Sequence, residues 1–172
     1  MPHPLHEQVR RAFNYRCGYC GVTEAAAGGQ LTVDHYQPLA AGGGDDLGNL
    51  VYACHRCNQY KGEYWPTTER LAAGLLVLHP RLHDLSMHLL ENESSAELEP
   101  LTPTGSFHLR LLQLNRPELI AHRLERRAVE VLRRQAGSLQ ARLAQREQTI
   151  QALQQYIGLL LRLGNFKPPT KE

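Results

Sequence analysis

The chain has 172 residues, a formal net charge of +2 and 42% hydrophobic residues. That length is enough for one compact domain with an extension, and no apolar run reaches the roughly 20 residues of a membrane-spanning helix. The first residues lack the basic and apolar stretches of a secretory signal, so a cytoplasmic protein with no membrane partner is expected. The charge is uneven. Residues 1–109 carry 7 Lys and Arg against 12 Asp and Glu, and residues 110–172 carry 12 against 5, which favours the second part as a surface for acidic partners.

The amino-terminal stretch from Leu5 to Tyr15 has apolar residues at helical spacing. Leu5, Val9, Ala12 and Phe13 share one face, which predicts a short helix before the first cysteine. Residues 21–30 follow as a spacer with little pattern.

All four cysteines of the chain lie in two Cys-x-x-Cys pairs. These are Cys17 with Cys20 and Cys54 with Cys57. Each pair can offer two thiolates from one tight turn, and four thiolates make a closed tetrahedral zinc site. Two disulfides are the alternative, but in a chain without a secretory signal clustered thiols favour a metal.

Short β-prone runs and a helix lie between the two pairs. Residues 31–33 predict a strand that ends in Asp34 and His35, and a glycine-rich loop with two aspartates follows. Residues 49–52 predict a second strand, and residues 54–61 predict a helix that ends at Gly62. A zinc ion with four thiolates has no open position, so any chemistry has to come from the residues that it holds in place.

The segment from Cys17 to Gly62 carries, in this order, the motifs Cys-x-x-Cys, Asp-His, Asn-Leu and Cys-x-x-Cys-Asn-x-x-Lys-Gly. In this combination the segment resembles an HNH endonuclease. The resemblance implies a ββα-metal fold, DNA as the substrate, and His35 as the general base that deprotonates a water. It further implies that Asp34 and Asn58 hold a divalent cation, Mg²⁺ or Mn²⁺, and that Asn49 braces the loop and orients His35. Arg56 and Lys61 resemble positions that contact the nucleic-acid backbone in the family, and His55, inside the second cysteine pair, is a further candidate for a nucleic-acid contact.

Elementary chemistry agrees with these roles. Phosphodiester hydrolysis needs a nucleophile and a cation that offsets the charge on the phosphate. Histidine accepts protons near neutral pH, and carboxylate and amide oxygens suit a hard cation.

Residues 67–116 predict an α/β extension that packs on the core formed by residues 1–66. Residues 91–106 are acidic and indicate turns or a β-hairpin, and residues 107–111 alternate like a strand. His79, His83 and His88 suggest a second metal cluster, but the cysteines and the Asp-His pair already account for the metals, so a structural role is favoured.

Residues 117–163 predict a long helix with a heptad seam, followed by a flexible tail at 164–172. Nine of ten seam positions are apolar, and Arg146 is the exception. The seam positions are Val129, Leu132, Ala136, Leu139, Leu143, Arg146, Ile150, Leu153, Ile157 and Leu160. The pattern predicts a coiled coil, through a homodimer or a partner protein. A helical hairpin bent at Gly137 and Ser138 is the alternative. Basic residues are expected on its polar face, namely Arg123, Arg126, Arg127, Arg133, Arg134 and Arg142.

The sequence therefore predicts an α+β protein with a small zinc-stapled ββα-metal nuclease core and a C-terminal long helix or helical hairpin. The function it favours is metal-dependent DNA cleavage, with restriction or phage defence as a setting. The alternative is a zinc-knuckle nucleic-acid-binding or adaptor protein without catalysis.

Overall fold

The computed structural model describes residues 3–164. Within them the chain divides into two units, one that ends at Glu125 and one that begins at Arg126. The predicted core and the predicted extension that follows it thus lie in one unit. The tail predicted at 164–172 falls outside the described residues, except for Gly164.

The first unit begins with helix α1, His6–Ala12, as the apolar spacing predicts. Val9 is the buried residue of this helix. A single-turn helix, α2, Glu24–Ala27, lies in the stretch whose sequence showed only a spacer with little pattern. The N-cap explains the helix. The Thr23 side chain accepts a hydrogen bond from the Ala26 N–H and so satisfies one of the backbone N–H groups that a helix start leaves without a partner.

Strands β1, Thr32–His35, and β2, Leu50–Ala53, form an antiparallel hairpin, and helix α3, His55–Lys61, follows directly. The register pairs Asp34 with Val51 and His35 with Leu50. All four residues of β2 are buried, so this strand forms the centre of the core. The predicted order of strand, loop, strand and helix is confirmed, and α3 ends at Gly62 with a positive φ of 51°.

The extension contains helix α4, Thr68–Ala72, then a hairpin of β3, Leu89–Glu91, and β4, Leu98–Pro100, then helix α5, Pro103–Leu111. The hairpin agrees with the turns expected at 91–106. The strand expected at 107–111 is wrong, because this stretch is the second half of α5. Pro103 stands in the first turn of α5, and the Thr102 hydroxyl caps it by accepting from the Gly105 N–H, so helix-start signals outweigh the alternation.

Helix α6 runs without a break over Pro117–Gly164. The hairpin alternative at Gly137 and Ser138 is therefore wrong, and the long helix is confirmed. A glycine in a helix interior costs only about 1 kcal/mol relative to alanine, which the neighbouring helix formers can offset. No described helix combines the length and apolarity needed to span a membrane.

The first turns of α6 are part of the first unit. Leu119 is buried in its core. Arg123, expected on a solvated basic face, is instead 6% exposed. Its guanidinium donates to the Leu114 carbonyl at 3.0 Å and to Asn115 Oδ1 at 3.1 Å, so it ties α6 to the preceding turn.

Candidate active site

The four cysteine thiols meet in one cluster. All are free of disulfides, and their sulfur atoms lie within 4.8 Å of one another. The Cys20 and Cys54 sulfurs are 3.8 Å apart, which matches the spacing of about 3.8 Å that zinc–sulfur bonds of about 2.3 Å give in a tetrahedron. The donor set and its spacing therefore fit zinc.

Arg116, which precedes α6, lies beside this cluster. Its guanidinium is 3.9 Å from the Cys54 sulfur and 3.8 Å from the Cys57 sulfur, and its Cζ lies 5.7 Å from the centre of the Tyr60 ring. A cation in this position offsets the negative charge that four thiolates keep around one zinc ion. The extension is thus joined electrostatically to the thiol cluster.

Asp34 lies in a buried ionic group between β1 and α3. Its Oδ1 accepts from the Lys61 ammonium at 3.0 Å, and its Oδ2 accepts from the Tyr19 hydroxyl at 2.6 Å. Lys61 also donates to the His35 carbonyl at 2.6 Å. Burial raises the pKa of Asp34, and the Lys61 charge opposes that rise. Burial also raises the pKa of Tyr19, which keeps its hydroxyl a donor.

Asn58, on α3, lies next to β1. Its Nδ2 is 3.4 Å from the hydroxyl of Thr32, and Thr32 and Asp34 share one face of β1 because alternate strand residues do. The Asn58 amide and the Asp34 carboxylate therefore lie on the same side of β1, and each Asp34 oxygen keeps a lone pair beyond its bond with Lys61 or Tyr19. These hard oxygen donors fit Mg²⁺ or Mn²⁺ in kind.

His35 lies in a different polar cluster from Asp34, as expected for consecutive strand residues that point to opposite faces. Its Nε2 is 2.6 Å from Asp45 Oδ1, and the Nε2 of His3 is 3.2 Å from the same oxygen. The two imidazole rings meet edge to face at 5.7 Å. The hydrogen bond with His35 and, to a smaller extent, the hydrogen bond with His3 lower the pKa of Asp45, so this carboxyl is ionised at neutral pH. The His35 side chain is 20% exposed, so water can reach it.

Asn49 binds the loop that follows His35 at three points. Its Nδ2 donates to the Gln37 carbonyl at 3.0 Å and to the Gly44 carbonyl at 2.8 Å, and its Oδ1 accepts from the Gln37 N–H at 2.8 Å. A side chain at Gly43 would collide with the Gln37 carbonyl, so the loop closes only with glycine there.

The three residues predicted to contact nucleic acid differ in how exposed they are. His55 and Arg56 are exposed, and Arg56 donates to Glu118 at 2.9 Å. Lys61 is only 2% exposed, so the structure does not place it on the surface where a phosphate contact was expected. Its apolar stem lies in the core and its ammonium neutralises Asp34.

Sequence reasoning did not identify Tyr19, Asp45 or His3. Tyr19 lies inside the first Cys-x-x-Cys pair and Asp45 follows the triple glycine, which are faint signals. His3 reaches Asp45 across 42 positions, a contact that only the folded chain creates. Among the described residues, His79, His83 and His88 form no metal-ligand group.

Residues 17–63 match the family model described as HNH endonuclease. The match confirms the resemblance seen in the motif, for 47 of the 172 residues. Searches of curated proteins and of solved structures returned no significant match. The HNH segment indicates a nuclease.

Proposed function

We propose that this protein is a metal-dependent DNA endonuclease whose ββα segment, stapled by a zinc ion on Cys17, Cys20, Cys54 and Cys57, carries His35 as the general base. The observation that supports it most is the HNH match over residues 17–63, within which His35 is both reachable by water and fixed by Asp45.

In the proposed reaction His35 takes a proton from a water molecule. The water oxygen forms a bond to phosphorus, the bond from phosphorus to the leaving oxygen breaks, and that oxygen takes a proton from solvent. Asp34 and Asn58 would hold the divalent cation. The cation would offset the charge that develops on the phosphate and the leaving oxygen.

Lys61 has an indirect role in this proposal. Its ammonium keeps the Asp34 carboxylate ionised and in place, because a buried carboxylate without a counter-charge would take up a proton. Arg56 and His55, which are exposed on α3, are the proposed contacts with the DNA backbone.

Pairing of two chains through α6 would place two nuclease units on one duplex, which suits double-strand cutting, and restriction or phage defence is the proposed setting. Efficiency of phage plating on cells that express the protein tests that setting. The competing proposal is a binding module without catalysis, which the closed thiol cluster alone would equally serve.

A plasmid-cleavage assay distinguishes the two. Wild-type protein should nick or linearise supercoiled DNA with Mg²⁺ or Mn²⁺ and should be inactive with a chelator. Asn58→Ala should need more of the cation for the same rate, because it removes one oxygen donor. DNA binding without cleavage under every metal condition would support the binding module instead.

A further inference from the structure

We infer that Asp45 is a positioning residue that fixes the tautomer of His35, so that Nδ1 is the atom that accepts the proton from water. This inference rests on the proposed function and extends it to a residue to which the resemblance assigned no role.

Asp45 Oδ1 faces the Nε2 atoms of both His35 and His3. An ionised carboxylate only accepts hydrogen bonds, so each Nε2 that bonds to it has to carry a hydrogen. A neutral imidazole has one N–H. With that hydrogen on Nε2, the lone pair of His35 is on Nδ1.

His3 supports the same assignment independently. Its Nδ1 accepts a hydrogen bond from the Leu5 backbone N–H at 3.1 Å, so its own hydrogen lies on Nε2 and points to Asp45. The three ligand atoms also lie close enough to share a metal ion. A metal on His3 Nε2 would, however, move the ring hydrogen to Nδ1, against the Leu5 N–H. The hydrogen-bonded arrangement is therefore the one that the backbone favours.

The Asp45 side chain is itself 68% exposed, so the loop backbone has to hold it in place. Asn49 does this by binding the Gly44 carbonyl, one residue before Asp45, and the Gln37 carbonyl, two residues after His35. The His6 imidazole, bonded to the Leu31 carbonyl at 2.8 Å, fixes the arm that brings His3 to the loop. Asn49 thus orients His35 through Asp45.

The test is Asp45→Asn, with Asp46→Asn as the matched control. An asparagine at position 45 can turn its NH₂ toward His35 Nε2 and favour the other tautomer, in which Nδ1 carries the hydrogen. Asp46 instead accepts from the backbone N–H groups of Gly48 and Asn49, and an asparagine oxygen accepts from the same groups. Asp45→Asn should slow plasmid cleavage by about 10²-fold, within the range of general-base catalysis, and Asp46→Asn should leave it within about twofold. Asp45→Glu should recover part of the lost rate.

A readout without cleavage separates this inference from the proposed function. Imidazole ¹H–¹⁵N spectra of the full chain should show His35 protonated on Nε2 in wild type and in Asp46→Asn, and shifted toward Nδ1 in Asp45→Asn. A wild-type His35 protonated on Nδ1 would overturn the inference whether or not the protein cuts DNA. Cleavage by Asp45→Asn at the wild-type rate would overturn it while leaving the nuclease proposal intact.

Discussion

At the scale of single residues, the consecutive pair Asp34 and His35 supplies two different environments. Strand alternation turns Asp34 toward α3 and a buried lysine, and turns His35 toward a water-accessible loop. Consecutive positions of β1 thus carry a buried, charge-paired carboxylate and a water-accessible imidazole. The motif letters predict both residues. The pairing of Asp34 with Tyr19 and Lys61, and of His35 with Asp45, is created by tertiary contacts and is visible only in the folded chain.

Lys61→Met should destabilise the protein strongly, because it removes the buried counter-charge of Asp34. The Lys61 side chain is 1% exposed and Asp34 is 6% exposed. Loss of one partner of a buried pair costs about 3–5 kcal/mol of the free energy of unfolding. Urea denaturation at neutral pH measures it. Arg11→Met is the matched control, since the Arg11–Glu7 pair is exposed and its loss should cost less than about 1 kcal/mol. Equal effects of the two substitutions would contradict the structural role of Lys61.

At the scale of elements, the predictions held where several signals agreed. The cysteine pairs, the short strands and the Gly62 stop all indicate the same ββα order, and the structure has it. The strand expected at 107–111 rested on alternation alone, and the cap at Thr102 outweighed it. The hairpin at Gly137 rested on one glycine and one serine, which α6 accommodates.

Helix α5 carries a buried histidine that should make stability depend on pH. His108 is fully buried, and its Nδ1 accepts from the Leu78 N–H at 2.9 Å. Burial, followed by the charges of the nearby His88 and His83, lowers the pKa of His108 to about 4. In the unfolded chain the pKa is about 6.5, so the unfolded state takes up a proton first as the pH falls. The stabilisation is complete above pH about 6.5 and is lost as the pH falls toward 4.

Urea denaturation at pH 7 and pH 5 tests this dependence. From the pKa difference, His108 should account for up to about 2 kcal/mol of lost unfolding free energy over that interval. His108→Gln can still offer an oxygen to the Leu78 N–H and should reduce the dependence on pH. His55→Gln, at an exposed position, should retain it. An unchanged dependence in His108→Gln would place its origin elsewhere in the chain.

At the scale of the whole molecule, the second unit presents an apolar seam to solvent. Leu132 is 63% exposed, Leu139 56% and Leu143 59%, and the described residues from 128 to 157 are all exposed. Apolar side chains in a heptad repeat are stabilised by packing on a second helix. We therefore expect the full chain to self-associate through α6.

The paired variant Leu139→Glu/Leu143→Glu should shift the protein to monomer in light scattering, because it places charges on the seam. The control Ala141→Glu/Gln148→Glu adds the same charge on the outer face of the same helix and should remain associated. A wild-type chain that is monomeric at all concentrations would contradict self-association.

The central claim is that His35 performs the chemistry on a fold that zinc and the buried core maintain without it. The most direct measurement is the single-turnover rate of plasmid cleavage by His35→Ala beside wild type, with zinc content and thermal unfolding recorded on the same samples. The account predicts a rate lower by on the order of 10²–10⁴ with one zinc per chain and an unchanged unfolding midpoint. Cleavage by His35→Ala at the wild-type rate would contradict it.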